Sequence, residues 1–76
     1  MEDVSVESEI TATVWKMNVA VGDKVSKDDE LLILESMKME IPVLAPVSGQ
    51  IVKVMVAEGE AVGEGNPLVT ISENAK

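Results

Sequence analysis

Apolar and polar residues alternate along two stretches of the chain. In Val14–Val21, Trp15, Met17, Val19 and Val21 alternate with Lys16, Asn18 and Ala20. In Ile51–Ala57, Val52, Val54 and Val56 alternate with Lys53 and Met55. A period of two marks a strand with one buried face. It predicts that the odd-numbered residues of the first stretch and the even-numbered residues of the second point inward. Leu31–Leu34 and Leu68–Ile71 are apolar throughout, which predicts strands buried on both faces or central in a sheet. Gly22-Asp23 and Gly59-Glu60 predict turns in which glycine takes a positive φ. Each is followed by a short strand, through Val25 or Val62, and then by a polar loop, Lys27-Asp28-Asp29 or Glu64-Gly65-Asn66.

These elements come in two sets because the chain repeats itself at an offset of 37 residues. Over the 23 pairs from 14/51 to 36/73, six are identical: Lys16, Val19, Ala20, Gly22, Val25 and Leu31. Most of the others keep their apolar or acidic character, and no gap is needed. Two copies are too few for a solenoid and point to one internally duplicated domain over residues 1–76, with repeats at about 14–36 and 51–73.

Between the copies, Leu31–Leu34 runs up to a short polar stretch and Ile41–Leu44 leaves it. A β-hairpin with Met37-Lys38 at its tip is the economical connection. Pro42 lacks an N–H, so it predicts an edge position or a strand start. Pro46 with Ser48-Gly49 predicts the next turn. At offset 37, Lys38 corresponds to Met1 and to Ala75. A two-fold arrangement therefore places Lys38 at one end of the molecule and both chain ends at the other. A tether at either terminus leaves Lys38 free.

Composition narrows the chemistry. The 76 residues are 46% hydrophobic, and Trp15 is the only aromatic residue. A chain this short buries roughly 60–65% of its unfolded surface, so its core must be thin. Its β-branched content favours strands. With no cysteine and no histidine, thiol nucleophiles, imidazole acid–base chemistry, disulfides and the usual zinc ligands are excluded. No loop has the alternating acidic ligands of an EF-hand. A net charge of −8 argues against nucleic acid and anionic membranes as partners. It serves solubility, or steering toward a basic partner. Met1-Glu2-Asp3 does not open a signal peptide, and no apolar run reaches the 18 residues of a membrane span. A soluble, cytoplasmic protein is the default expectation.

Lys38 lies between Met37 and Met39. A turn lysine is ordinarily a solvated charge. A methionine beside it ordinarily tucks against neighbouring strands as a gap filler. Alternatively, the pair forms a soft apolar contact for a partner that must select this lysine from six basic residues. The residues alone leave both readings open. Glu35-Ser36-Met37-Lys38-Met39-Glu40, however, resembles the attachment sequence of biotinyl domains in biotin-dependent carboxylases. Ile41-Pro42-Val43-Leu44-Ala45-Pro46-Val47-Ser48-Gly49 after it is similar to the family, as are the turns Val21-Gly22-Asp23 and Glu58-Gly59-Glu60. The resemblance covers residues 10–73.

That resemblance implies an all-β fold, a flattened β-barrel or sandwich of two four-stranded antiparallel sheets with pseudo-two-fold symmetry (the biotinyl/lipoyl hammerhead). It implies biotin joined covalently to Lys38 by a biotin protein ligase, with Met37 and Met39 as flanking recognition residues. It also implies a non-catalytic, monomeric domain that shuttles between a biotin carboxylase, which uses bicarbonate and MgATP, and a carboxyltransferase. A lysine amine is a cation at neutral pH, so the ligase must supply the deprotonation. Acylation moves the net charge from −8 to about −9.

Some positions depart from the family. Ser8–Thr13 lies where a proline- and glycine-rich turn is common, and Ala12 stands opposite Gly49, which predicts a wider first turn. Ser36 replaces a common alanine, and Asp28 stands opposite Gly65. The chain is too compact for the thumb loop of some acetyl-CoA carboxylase carriers. A lipoyl carrier has a similar fold but usually Asp-Lys-Ala around its lysine. A β-domain that only binds a partner is the alternative of a different class. As a lone enzyme the chain offers only Glu35 and Glu40 near Lys38.

Overall fold

The computed structural model describes residues 3–73. They form eight strands and no helix: β1 (Asp3–Glu7), β2 (Ala12–Met17), β3 (Lys24–Val25), β4 (Glu30–Ser36), β5 (Met39–Leu44), β6 (Gly49–Val54), β7 (Ala61–Val62) and β8 (Pro67–Glu73). One sheet has the order β1-β8-β6-β3 and the other β5-β4-β2-β7, with every pairing antiparallel. Shifting β1 to β4 by 37 residues gives β5 to β8, so each strand has its counterpart at the same place in the opposite sheet. The correspondence extends to residues 3–13 and 40–50, where only Val6 and Val43 are identical. There the two segments share a burial alternation rather than residues.

The core lies between the sheets. Leu31, Leu32 and Leu34 meet Ile51, Leu68, Val69 and Ile71, all essentially inaccessible to water. Each such side chain contributes roughly 1.5–3 kcal/mol by leaving water. The apolar runs of β4 and β8 are central in their sheets, as expected. The burial of adjacent residues Leu31 and Leu32, or Leu68 and Val69, has a specific cause. The β4–β5 register slips between Glu30 and Leu32, and the β1–β8 register slips between Val6 and Glu7, where β8 steps from Val69 to Pro67. Leu31 and Leu68 are thus extra residues in their ladders, and a bulge turns two successive side chains away from strict alternation.

A second pair of bulges overturns part of the facing predicted from sequence. Val14 pairs with Leu34 and Lys16 with Ile33, leaving Trp15 as the extra residue. Ile51 and Lys53 flank Val52 in the same way. Before the bulge, Val14 and Ile51 point inward; after it, Met17, Val19, Val54 and Val56 do. Trp15 and Val52, both expected inside, are on the surface at 48% and 40% exposure. Val21, also expected inside, is exposed beside its turn. The strands stop at Met17 and Val54, short of the expected Val21 and Ala57.

Between copies the turns close reciprocally. Gly22, with φ 100°, donates its N–H to the Ile51 carbonyl at 2.8 Å, and Gly59, with φ 90°, donates to Val14 at 2.7 Å. Ile51 N–H returns a bond to the Asp23 carbonyl and Val14 N–H one to Glu60, each 2.8 Å. Asp28 adopts φ 76° where its counterpart Gly65 adopts 87°, so aspartate preserves the left-handed turn, which it tolerates better than most residues. Their N–H groups bond the carbonyls of Ala45 and Ser8 respectively. The wider first turn expected at Ala12 is absent, because four residues link β1 to β2 and four link β5 to β6.

The strand paths locate the ends. The last pair of β1 with β8 is Glu7↔Pro67, and residues 8–11 carry the chain from there to Ala12 and Thr13; Thr13 pairs with Glu35, just below the β4–β5 turn. The opposite end of that sheet holds Asp3↔Ser72. The described chain ends therefore lie away from Lys38 along a body of 39 × 17 × 17 Å. Residues 1 and 75, the formal counterparts of Lys38, lie outside the described residues.

Gly49 is needed for close approach. A Cβ there would overlap the Ser72 carbonyl oxygen and lie 2.9 Å from Ile71 Cγ2. In the other sheet the same position holds Ala12. Gly49→Ala is expected to cost more than about 2 kcal/mol, in the range of overpacked core substitutions. Ala12→Gly is expected to cost roughly 1 kcal/mol or less. Urea titrations of the two variants test this asymmetry, and equal losses would contradict it.

Candidate functional site

The turn between β4 and β5 contains only Met37 and Lys38, with Ser36↔Met39 as the flanking pair. Met37 has φ 52° and Lys38 φ 67°. Positive φ at both central residues is the signature of a type I′ turn, whose twist matches that of the flanking strands. Such turns ordinarily use Asn-Gly, because a left-handed L-residue costs about 1–2 kcal/mol. Here two side-chain-bearing residues take that conformation. The ladder below holds them in it, through Ser36↔Met39, Glu35↔Glu40 and Leu34↔Ile41. Strain of this kind is concentrated at functional sites.

The turn presents its side chains fully. Met37 is 93% exposed, Met39 is 64% exposed and Lys38 is exposed. Neither methionine fills a gap in the core, which removes the ordinary packing account of Met-Lys-Met. β5 is an edge strand, as Pro42 predicted. In a two-residue hairpin the flanking pair is hydrogen-bonded and pairs alternate thereafter. Ile33↔Pro42 is consequently a non-hydrogen-bonded pair, so the missing N–H costs no ladder bond and blunts the exposed edge.

One feature of the site was not foreseen. Glu35 and Glu40 stand directly opposite each other just below the turn, and both are exposed. In sequence they read as separate solvated charges; only the two-residue turn sets their register. Like charges opposed across a ladder destabilise it.

A two-sheet sandwich that ends in an exposed lysine on a strained turn is the architecture of a carrier. Comparison with known proteins gives the same class. The model of the biotin/lipoyl family, described as "Biotin-requiring enzyme", matches residues 3–71. The chain is 40% identical over 73 residues to a biotin/lipoyl attachment protein of Bacillus subtilis, covering 96% of this chain and all of that one. It is 48% identical over 67 residues to the biotinylated protein TB7.3 homolog of Mycobacterium leprae, covering 88% and 94%. Among solved structures, a single-chain, multi-domain long-chain acyl-CoA carboxylase superimposes with a TM-score of 0.90 at 27% identity, over 97% of this chain and 7% of that one. The chain belongs to the biotin/lipoyl attachment family, and its fold is that of the biotinyl domains.

Two measurements probe the turn. Met37→Asn suits a left-handed position and is expected to raise stability by about 0.5–1 kcal/mol, or roughly 2–8 °C in melting temperature; an unchanged or lower melting temperature contradicts the strain. Glu40→Lys converts the opposed carboxylates into an ion pair and is expected to add roughly 0.2–1 kcal/mol at low salt. That gain should shrink in 1 M NaCl.

Proposed function

We propose that this protein is a biotin carboxyl carrier whose biotin is joined to Lys38. The observation that carries the assignment is the lysine itself, raised on a two-residue left-handed turn between two exposed methionines. The family match and a relative that is itself named as biotinylated support biotin as the group carried. Met-Lys-Met in place of the usual lipoyl triplet favours it over lipoate.

The residues suit a covalent arm. The amine needs only access, and Lys38 is exposed among the described residues. In the attachment step the lysine nitrogen forms an amide with the biotinyl carbonyl of an acyl-adenylate; AMP departs and the nitrogen loses a proton. The chain offers no histidine or cysteine to take that proton, so a biotin protein ligase supplies the base. Once attached, biotin supplies the ring nitrogen that carries a carboxyl group. The exposed methionines give the ligase an apolar mark that distinguishes Lys38 from the other lysines.

In this reading the chain lowers no barrier. It is one non-catalytic domain, monomeric when isolated, that holds biotin at high local concentration for a biotin carboxylase and a carboxyltransferase. The structural resemblance to a domain of an acyl-CoA carboxylase supports such partners. Among the described residues no helix is long and apolar enough to cross a membrane, and the cytoplasm is the proposed location.

The test is intact mass after incubation with a biotin protein ligase, biotin and MgATP. Wild type is expected to gain one biotinyl group, located on Lys38 by peptide mapping. Lys38→Arg keeps the charge but offers no acylable amine; it is expected to fold with an unchanged melting temperature and gain nothing. A lipoyl-sized increment on protein from the native host, or a biotinyl group on Lys38→Arg, overturns the assignment.

A further inference from the structure

The two-fold symmetry supplies an internal control for the sandwich surface. On the outer face of the β5-β4-β2-β7 sheet, Ile33 pairs with Pro42 on one side and lies opposite the Trp15–Lys16 bulge on the other. Leu44, 46% exposed, continues the strip along β5. The counterparts of Trp15, Ile33, Pro42 and Leu44 in the other sheet are Val52, Thr70, Ser5 and Glu7. One outer face thus carries an apolar strip that includes the chain's only aromatic residue, 48% exposed. The other, built on the same backbone, is largely polar. The fold does not require the strip, since the equivalent sheet forms without it.

The strip is also placed with respect to Lys38. It lies on β4 and β5, the strands that form the lysine turn, and on β2 beside them. An enzyme acting on the unmodified lysine has only that side chain's length to work with, so it must press against the domain. A two-residue turn is a small interface against the roughly 800 Å² that a standard-size interface buries on each partner. Contact must spread down the hairpin. Its inner face is filled by the core, which leaves the outer face and the β5 edge. Tryptophan, with tyrosine and arginine, is enriched among the residues that dominate such contacts.

We infer that the strip Trp15–Ile33–Pro42–Leu44 is the surface on which the biotin protein ligase docks to the unmodified protein, with Trp15 as anchor in an apolar seat of the ligase. The inference rests on the proposed biotinylation of Lys38.

The experiment compares Trp15→Lys with Val52→Lys, its symmetry mate, as substrates of a biotin protein ligase in steady-state kinetics. Trp15→Lys is expected to raise KM for the protein at least tenfold while prolonged incubation still gives full modification on Lys38; Val52→Lys is expected to stay within twofold of wild type. If both variants match wild type, or both weaken equally, the docking surface is wrong although biotinylation stands. If wild type itself is not modified, both proposals fall. Should Trp15→Lys fail to fold, 5-fluorotryptophan in the wild-type chain gives a single 19F resonance. That resonance is expected to shift or broaden when unlabelled ligase is added, and an unchanged resonance while Lys38 is being acylated overturns the inference.

Discussion

Each half of this molecule is completed by the other. The turn after β2 donates to the bulged strand of the second copy, and the turn after β6 donates to that of the first, through Gly22 to Ile51 and Gly59 to Val14. The same strands bear the Trp15 and Val52 bulges, so the irregular point of each ladder is where the partner's backbone arrives. Val14 and Ile51 stand immediately before the extra residues Trp15 and Val52, and each finds partners for its N–H and C=O in the other copy's turn. Reciprocal closure satisfies both copies with one piece of geometry. It also explains why neither half is a plausible unit by itself: removing one removes the hydrogen-bond partners of the other as well as half the core.

Lys38 depends on that arrangement indirectly. Its turn is held in left-handed geometry by β4 and β5, and β4 is central only because β2 flanks its other side. The strain at Met37 and Lys38 is offset by a ladder whose inner face carries Leu34 and Leu32 into the common core. The proposed attachment point thus sits where local backbone preference is unfavourable and the paired ladder below supports it.

Much of this was legible in the residues. The turns at Gly22 and Gly59, the short strands through Val25 and Val62 and the hairpin at Met37-Lys38 follow from local chemistry, and the 37-residue offset follows from matching residues. The facing of Trp15 and Val52 departs from expectation for one reason. Alternation of period two assumes an unbroken ladder, and a single inserted residue reverses every facing that precedes or follows it. Alternation points Trp15 and Val52 inward because nothing in a single strand announces a bulge; the partner strand's register creates it. β1 is not legible in the residues because Asp3–Glu7 is short and shares only Val6 with its counterpart. The opposed pair Glu35–Glu40 was likewise invisible until the turn length fixed which residues face each other.

The left-handed turn has a mechanical consequence. A glycine-rich loop would let a carried group wander with the backbone, and the search for a second site would include that slack. Two residues locked between paired strands behave instead as a fixed post. The lysine stem then pivots about one point, and the reach of any group at its far end is bounded by the length of the side chain instead of being extended by loop motion. If Lys38 carries a group between two sites, as proposed, both must come within that reach, so its length becomes a dimension that each of those sites has to match.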